Sequence, residues 1–476
     1  MKRNYHKVTI IFGAVIVMLV MVFAMNFTRV IYLEDEVVKQ QKWVQHMEVT
    51  PEGDIYDRNG EPILNPEVPR EEDHAYVEHP FSYLLGYNYP GLGQSGLREV
   101  YHEHLYDDMG TKKGGSVQLT IDKYLQAKAY ELLKNDNLHG TIIVLDVPTG
   151  EVLTMASRRW EDIDWNPVYD KNDKGESYVK ETVADHYNKY AEMEDMRKNR
   201  TMLLDPAITD NDAPGSVYKI ITACCAIENG LADFTYTDTG SLDPGGSNSK
   251  TVYNHTPQAF GEIGMQSALT NSVNTYFAAL SLELGDKRMQ ATAENFLIGE
   301  TIDFPCGPLY SSINLDGTRN MLAHTGYGQG KLQISPLHLA MIGQAIANNG
   351  EMYLPVIEKS RINAKGRVIS ETKNKQLCAK AISPETAATI KSLMNGVVNN
   401  SASITELRER QEKTGKTFYA KSGTAELIDN QPIYHSSLLT MTDDYVVLVS
   451  INYTNKQGSD YAYLADSIWQ DLYVGQ

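Results

Sequence analysis

Ser216 and Lys219 stand three residues apart at the start of an apolar run, in D-N-D-A-P-G-S-V-Y-K-I-I-T-A-C-C-A-I-E-N-G from Asp210 to Gly230. Pro214 and Gly215 break the chain ahead of them and Gly230 stops the run, which predicts a helix of about four turns. Residues three apart share a helix face, so the hydroxyl and the amine can meet. The helix start adds free backbone N–H groups and a partial positive charge beside the serine. A serine oxygen there, with an amine as neighbouring base, has the makings of a nucleophile.

The pattern alone is weak, because Ser247 and Lys250 in G-G-S-N-S-K repeat it. That copy has no helical run behind it and reads as a polar turn. Downstream of Ser216 come Ser272-Val-Asn274 and Lys421-Ser422-Gly423. A competing set is Ser247 with Lys250, then Ser312-Ile-Asn314, then Lys413-Thr-Gly415. Context separates the two. Lys413 lies in L-R-E-R-Q-E-K-T-G-K, too charged for a buried strand, and Ser312 lies in a polar loop after Pro308. Lys421 lies on a strand that runs into G-T-A-E, and Ser272 sits between two helical runs.

Several elements must position these residues. Met265 to Gly285 reads as helix, break, helix, with Ser272 to Asn274 in the break. Thr417 to Ala425, His435 to Met441 and Tyr445 to Tyr453 read as strands, and Tyr461 to Tyr473 as a closing helix. Gly140 to Ser157 predicts a hairpin around Pro148-Thr149-Gly150. Ser116 to Asp122 alternates as a strand and Gln126 to Leu138 as an amphipathic helix. Gly326 to Pro336 is a Gly-rich turn into a helix; it lacks the G-K-[ST] ending of a phosphate loop. Ser383 to Val398 is a further helix. Gly53 to Leu64 predicts two short strands around Asn59-Gly60, with Asp57 and Arg58 as a surface pair. Arg158 to Asp212 reads as a long polar excursion, and a domain boundary is expected near Gly114-Gly115.

The chain has 476 residues, 42% of them hydrophobic, and a formal charge of −18. No broad basic face is available, which argues against nucleic acid. Cys224, Cys225, Cys306 and Cys378 lack metal-ligand spacing, and the adjacent pair reads as buried thiols. His102-Glu103-His104 is not a zinc motif, because Tyr106 stands where the second histidine must be. No metal is expected, and His324, His338 and His435 read as structural. At the N-terminus Lys2, Arg3 and Lys7 precede residues 8–27, which carry no charge. That run suffices for a membrane helix with the N-terminus in the cytoplasm. A cleaved signal peptide is the rival, but the run is long for one and no clear A-x-A site follows. No later segment is long and apolar enough to span.

Taken together, the chain resembles the class B penicillin-binding proteins, membrane-anchored D,D-transpeptidases of peptidoglycan synthesis. The motif trio carries the resemblance. So do D-R-N-G at 57–60, L-T-I-D at 119–122, P-T-G-E at 148–151, N-R at 199–200, G-Q-G at 328–330 and K-S-G-T-A-E at 421–426. Two departures stand out: Glu52 occupies a position where the family usually has Arg, and the third motif reads K-S-G in place of K-T-G. The resemblance implies an α+β fold in four parts. These are a cytoplasmic tail (1–7), a transmembrane anchor (8–27), a small α+β pedestal module (28–115) and a transpeptidase domain (116–476) with a five-stranded antiparallel sheet covered by helices. The pedestal is too short for a glycosyltransferase domain.

The resemblance also assigns roles. Ser216 would form the acyl-enzyme, Lys219 would be its base, and Ser272 would relay a proton to the leaving group. Asn274 would hold Lys219 and the substrate amide. Lys421 would attract the terminal carboxylate and make the site more positive, and Ser422 would add a hydroxyl. Gly423 would let the substrate backbone lie along the strand, and the amides of Ser216 and Thr424 would form the oxyanion hole. No cofactor is implied. The implied partners are D-Ala-D-Ala stem peptides with an amine acceptor, beta-lactams, the cytoplasmic membrane and a polytopic glycosyltransferase. A serine beta-lactamase is disfavoured because no E-x-E-L-N-like segment supplies a deacylating base. A catalytically silent scaffold is disfavoured because no motif residue has decayed.

Overall fold

The computed structural model describes residues 52–64, 80–86, 88–89, 93–111, 113–159, 168–171, 177–181, 205–246, 249–256, 258–427 and 432–474. The expected membrane run at 8–27 lies outside the described residues. Among those residues no helix is long and apolar enough to cross a membrane.

The principal elements run in chain order from strands β1 (Ile55–Tyr56), β2 (Pro62–Leu64) and β3 (Ser116–Leu119) to helix α1 (Lys123–Asn135) and strands β4 (His139–Asp146) and β5 (Val152–Arg158). Helices α2 (Lys219–Glu228), α3 (Met265–Thr270), α4 (Asn274–Leu284), α5 (Arg319–Gly326) and α6 (Pro336–Ala347) follow. Strands β6 (Glu358–Ile362) and β7 (Val368–Glu371) lead into helices α7 (Pro384–Asn400) and α8 (Thr405–Thr414). Strands β8 (Tyr419–Glu426), β9 (Tyr434–Met441) and β10 (Tyr445–Thr454) and helix α9 (Ala462–Val474) close the chain.

The main sheet has the order β8-β9-β10-β4-β5 and is antiparallel throughout. Strands β4 and β10 carry apolar runs, Ile142 to Leu145 and Val446 to Val449, because both faces are covered. Leu439 on β9 meets α6 on one face, where a Cβ on Gly343 would come within 2.8 Å of Leu439 Cδ1. Thr440, the next residue, faces the other way and accepts a hydrogen bond from Trp469 Nε1 on α9 at 2.9 Å. Helix α6 is buried along its whole length, so it is apolar on all sides instead of amphipathic. Each of the fully buried side chains Val446, Val447, Leu448 and Val449 contributes about 1.5–3 kcal/mol of burial. Strand β8, the motif strand, lies at one edge of this sheet.

A second sheet, β2-β1-β3-β6-β7, crosses the boundary expected near Gly114-Gly115. Ile55 in β1 pairs in parallel with Val117 in β3, and β3 pairs antiparallel with β6. The segment before residue 115 is therefore stitched to the rest through one sheet and shares its apolar core. The expected surface pair at Asp57 and Arg58 is corrected too. Asp57 is fully buried, and its carboxylate accepts from the amides of Asn59 and Glu61, both at 2.8 Å, and of Lys123 at 3.3 Å. A short acid that closes its own turn in this way has little reason to face water. Helix α1 starts earlier than expected because the Asp122 side chain caps it, accepting from the amides of Tyr124 and Leu125.

Candidate active site

Ser216 lies in a single 3-10 turn, Gly215–Tyr218, that feeds directly into α2 at Lys219. In a 3-10 turn residues i and i+3 eclipse, so Ser216 and Lys219 are stacked on one side of the chain. The serine is partly exposed while Lys219 is fully buried. Gly215 takes a left-handed φ of +55°, and a Cβ there would lie 2.8 Å from the Thr424 amide nitrogen. Its own N–H donates to Gly328 O at 3.0 Å. The serine turn is thus clamped between the motif strand β8 and the G-Q-G loop.

The second motif sits where α3 ends and α4 begins. Ser272 has φ +54°, an uncommon value for a residue with a side chain. That conformation turns both oxygens of Ser272 toward Lys219. Lys219 Nζ donates to Ser272 O at 2.6 Å, Ser272 Oγ at 3.1 Å and Asn274 Oδ1 at 2.7 Å. Asn274 is held in turn, its Nδ2 donating to Tyr253 O at 2.9 Å. From the third motif, Lys421 Nζ donates to the same Ser272 Oγ at 3.0 Å and to Ser422 O at 2.8 Å. Two buried lysines therefore converge on one hydroxyl.

Burial, and then the neighbouring Lys421 charge, pull Lys219 well below the ordinary lysine range. Burial brings Lys421 down to about 7. The geometry suits a neutral Lys219: an amine has two N–H groups to share among Ser272 O, Asn274 Oδ1 and the longer contact with Ser272 Oγ, and it keeps a lone pair with which to act as a base. Lys421 as an ammonium then donates into that hydroxyl from the other side. A chain of this kind can pass a proton in either direction.

Gly423 is bare on the side that faces the serine turn. A Cβ there would lie 2.4 Å from Pro214 O and 3.0 Å from Val217 Cγ2. That close approach leaves no room for a side chain. Strand alternation puts Ser422 and Thr424 on the opposite face from Lys421, and Thr424 Oγ1 accepts from the Gly458 amide at 3.2 Å.

The competing motif set is not assembled. Lys413-Thr414-Gly415 ends the exposed helix α8, with Gly415 as its left-handed cap at φ +67°. Ser312 begins a two-residue strand, and Ser247 lies outside the described residues. His338 is buried between Ser311 Oγ and Phe296 O. His435 bridges Ala213 O, just ahead of the serine turn, and Ser450 Oγ. The cysteines are free, and Cys224 and Cys225 are buried as expected.

Sequence reasoning missed the buried acid that sets the start of α4. Asp238 accepts from Thr275 Oγ1 at 2.6 Å, Asn254 Nδ2 at 3.0 Å and the Phe260 amide at 2.8 Å. Thr275 is the residue after Asn274, so this cluster fixes the second motif. Its only sequence signal is the turn T-D-T-G at 237–240, which carries no hint of long-range contacts. Tyr327 was also passed over as part of a turn.

Comparison with known proteins gives a consistent result. Residues 140–472 match the model of the penicillin binding protein transpeptidase domain. The chain is 28% identical over 357 residues to penicillin-binding protein 3 of Bacillus subtilis, covering 71% of this chain and 49% of that protein. It is 26% identical over 370 residues to the peptidoglycan D,D-transpeptidase PbpA of Mycolicibacterium smegmatis, covering 74% of this chain and 71% of that one. The match thus spans about half the length of the first relative. The fold is similar to the penicillin G acyl-enzyme complex of penicillin-binding protein A from Mycobacterium tuberculosis, with TM-score 0.74 and 19% identity over 89% of this chain and 99% of that one.

Proposed function

This chain belongs to the penicillin-binding protein transpeptidase family, and from that premise we propose that it is a membrane-anchored serine D,D-transpeptidase that cross-links peptidoglycan stem peptides. The observation that carries the reading is the meeting of two buried lysines on Ser272 Oγ, one turn away from a partly exposed serine.

In this reading Lys219, neutral in its buried cage, takes the proton from Ser216 Oγ as that oxygen attacks the penultimate D-alanine carbonyl. The amides of Ser216 and Thr424, whose backbones meet at Gly215, hold the oxyanion; one such donor is worth roughly 3–4 kcal/mol in comparable enzymes. The C–N bond then breaks. The leaving D-alanine takes a proton through Ser272 Oγ, which Lys219 resupplies. Lys421 draws in the terminal carboxylate and keeps a positive charge beside the relay. The acceptor amine next attacks the ester carbon, the bond to Ser216 Oγ breaks, and the proton lost by nitrogen returns to that oxygen through Lys219. A beta-lactam enters by the same first step. Residues 8–27 anchor the chain with its catalytic part outside the cytoplasm, beside a polytopic glycosyltransferase that supplies the glycan strands.

Labelling of the full chain with a fluorescent penicillin, beside Ser216→Ala, tests this. The expected result is a covalent band that persists for many minutes and is abolished in the variant. No band in folded wild type would turn the assignment to a silent scaffold. A band that quickly fades would turn it to a beta-lactamase.

A further inference from the structure

Tyr327 and His324 form a hydrogen-bonded pair that the mechanism above does not use. The Tyr327 hydroxyl lies 2.5 Å from His324 Nδ1, and His324 Nε2 lies 3.3 Å from Lys250 O. A carbonyl can only accept, so Nε2 carries the proton and Nδ1 is left as the acceptor. The phenol therefore donates to His324, and its oxygen lone pairs remain for another donor. The arrangement of an imidazole, oriented by a carbonyl and gripping a hydroxyl, fixes where those lone pairs point.

The pair stands among the three motif-bearing elements. Tyr327 packs against the small apolar cluster of Val252, Ala278 and Ala323. Ala278 is one turn along α4 from Asn274, and Val252 precedes Tyr253, whose carbonyl holds Asn274. The next residue, Gly328, accepts from the Gly215 amide at the serine turn. Glu426 ends the motif strand β8 and is exposed. Burial, and then the carboxylate of Glu426, keep the phenol above its ordinary range and thus protonated. Burial and the Lys250 charge outweigh the carbonyl contact and keep His324 below its ordinary value, so it stays neutral.

A hydroxyl oxygen locked as an acceptor is a receptor for N–H donors. We propose that Tyr327, positioned by His324, binds the acceptor amine for the second half of the reaction. This rests on the transpeptidase reading above. The amine donates one N–H to Tyr327 Oη, which directs its lone pair toward the ester carbon on Ser216. No proton ends on the phenol. When nitrogen attacks, its surplus proton passes to neutral Lys219 and on to Ser216 Oγ as the ester bond breaks. Tyr327 would touch the substrate; His324 is a positioning residue that acts through it.

The test separates the two halves of the reaction. The full chain is acylated with a small thioester donor in the presence of a D-amino acid. The ratio of aminolysis to hydrolysis is measured against acceptor concentration. That ratio is a property of the acyl-enzyme and does not depend on how fast it formed. Tyr327→Phe is expected to lower it on the order of tenfold, by loss of one hydrogen bond in a desolvated site, with the acceptor KM raised. His324→Phe should lower it in the same way. His324→Asn, whose Oδ1 takes the place of Nδ1 as acceptor, should restore most of it. An unaltered ratio in Tyr327→Phe, or equal losses in the Phe and Asn variants of His324, would overturn the proposal. If the wild type forms no acyl-enzyme on Ser216, the transpeptidase reading itself falls and this inference with it.

Discussion

Two buried regions handle charge in opposite ways. At the start of the described chain, Glu52 and Arg98 are both buried and 3.7 Å apart, and Asp54 meets Lys113 at 2.9 Å. Each charge there has a counter-charge. In the cleft, Lys219 and Lys421 share a hydroxyl, and the oxygens to which they donate are all neutral. A protein gains nothing in stability by holding two amines in this way. In the proposed mechanism they stay unmatched so that one is neutral enough to be a base and the other awaits an anion. The pair at Glu52 also answers the first departure from the family pattern: an acid is tolerated in that buried place because Arg98 comes to meet it.

The largest effect that would sharpen this contrast is on rate. Lys219→Met should slow acylation by fluorescent penicillin about 10²–10⁴-fold, the usual worth of a positioned base. Its melting temperature should not fall, because an apolar chain of similar length replaces a poorly solvated amine. A clear drop in melting temperature would break the comparison. Arg98→Met should do the reverse. Removing one partner of a buried pair costs about 3–5 kcal/mol, read as a shift in the denaturant midpoint, while the folded fraction acylates at the wild-type rate. Exchanging both, Glu52→Arg with Arg98→Glu, should recover most of that loss.

The smallest effect is on pH. Lys219 acts only when neutral, so acylation rises as pH climbs through its lowered pKa. Lys421 must be charged to meet a carboxylate, so the rate falls again as pH passes about 7. A bell is expected for penicillins, and only its rising limb for an acylating agent that lacks the carboxylate. A bell of the same shape for both would mean that Lys421 is not the anion site.

Much of this was legible in the sequence because it depends on short spacings. Ser216 and Lys219 are placed by one turn of chain, and Ser272 by the break between two apolar runs. The competing set was separable because Lys413 sits among charges that no buried strand could hold. What the sequence hid depends on distant backbone. Gly423 has Pro214 as its neighbour, brought there by the packing of the serine turn on the sheet edge. Asp57 looked exposed because backbone amide partners carry no sequence mark, and one of them, Lys123, lies far along the chain. The pairing of β1 with β3 across Gly114-Gly115 is invisible until both strands are placed.

The order of strands in the main sheet has a consequence for how the molecule comes into being. Strand β4 is made early, but its partner β10 comes some three hundred residues later, with Ile142 opposite Val449. Pairings so distant in the chain slow folding, since the intervening loop must be closed before any contact rewards it. At about 5–20 residues per second of synthesis, the β4–β5 hairpin waits for many seconds with an apolar edge uncovered. The cleft does not exist during that time, because β8 can join the sheet only through β9 and β10. A ribosome or export channel that releases this chain therefore hands over an unfinished and adhesive intermediate, and activity arrives all at once when β10 docks.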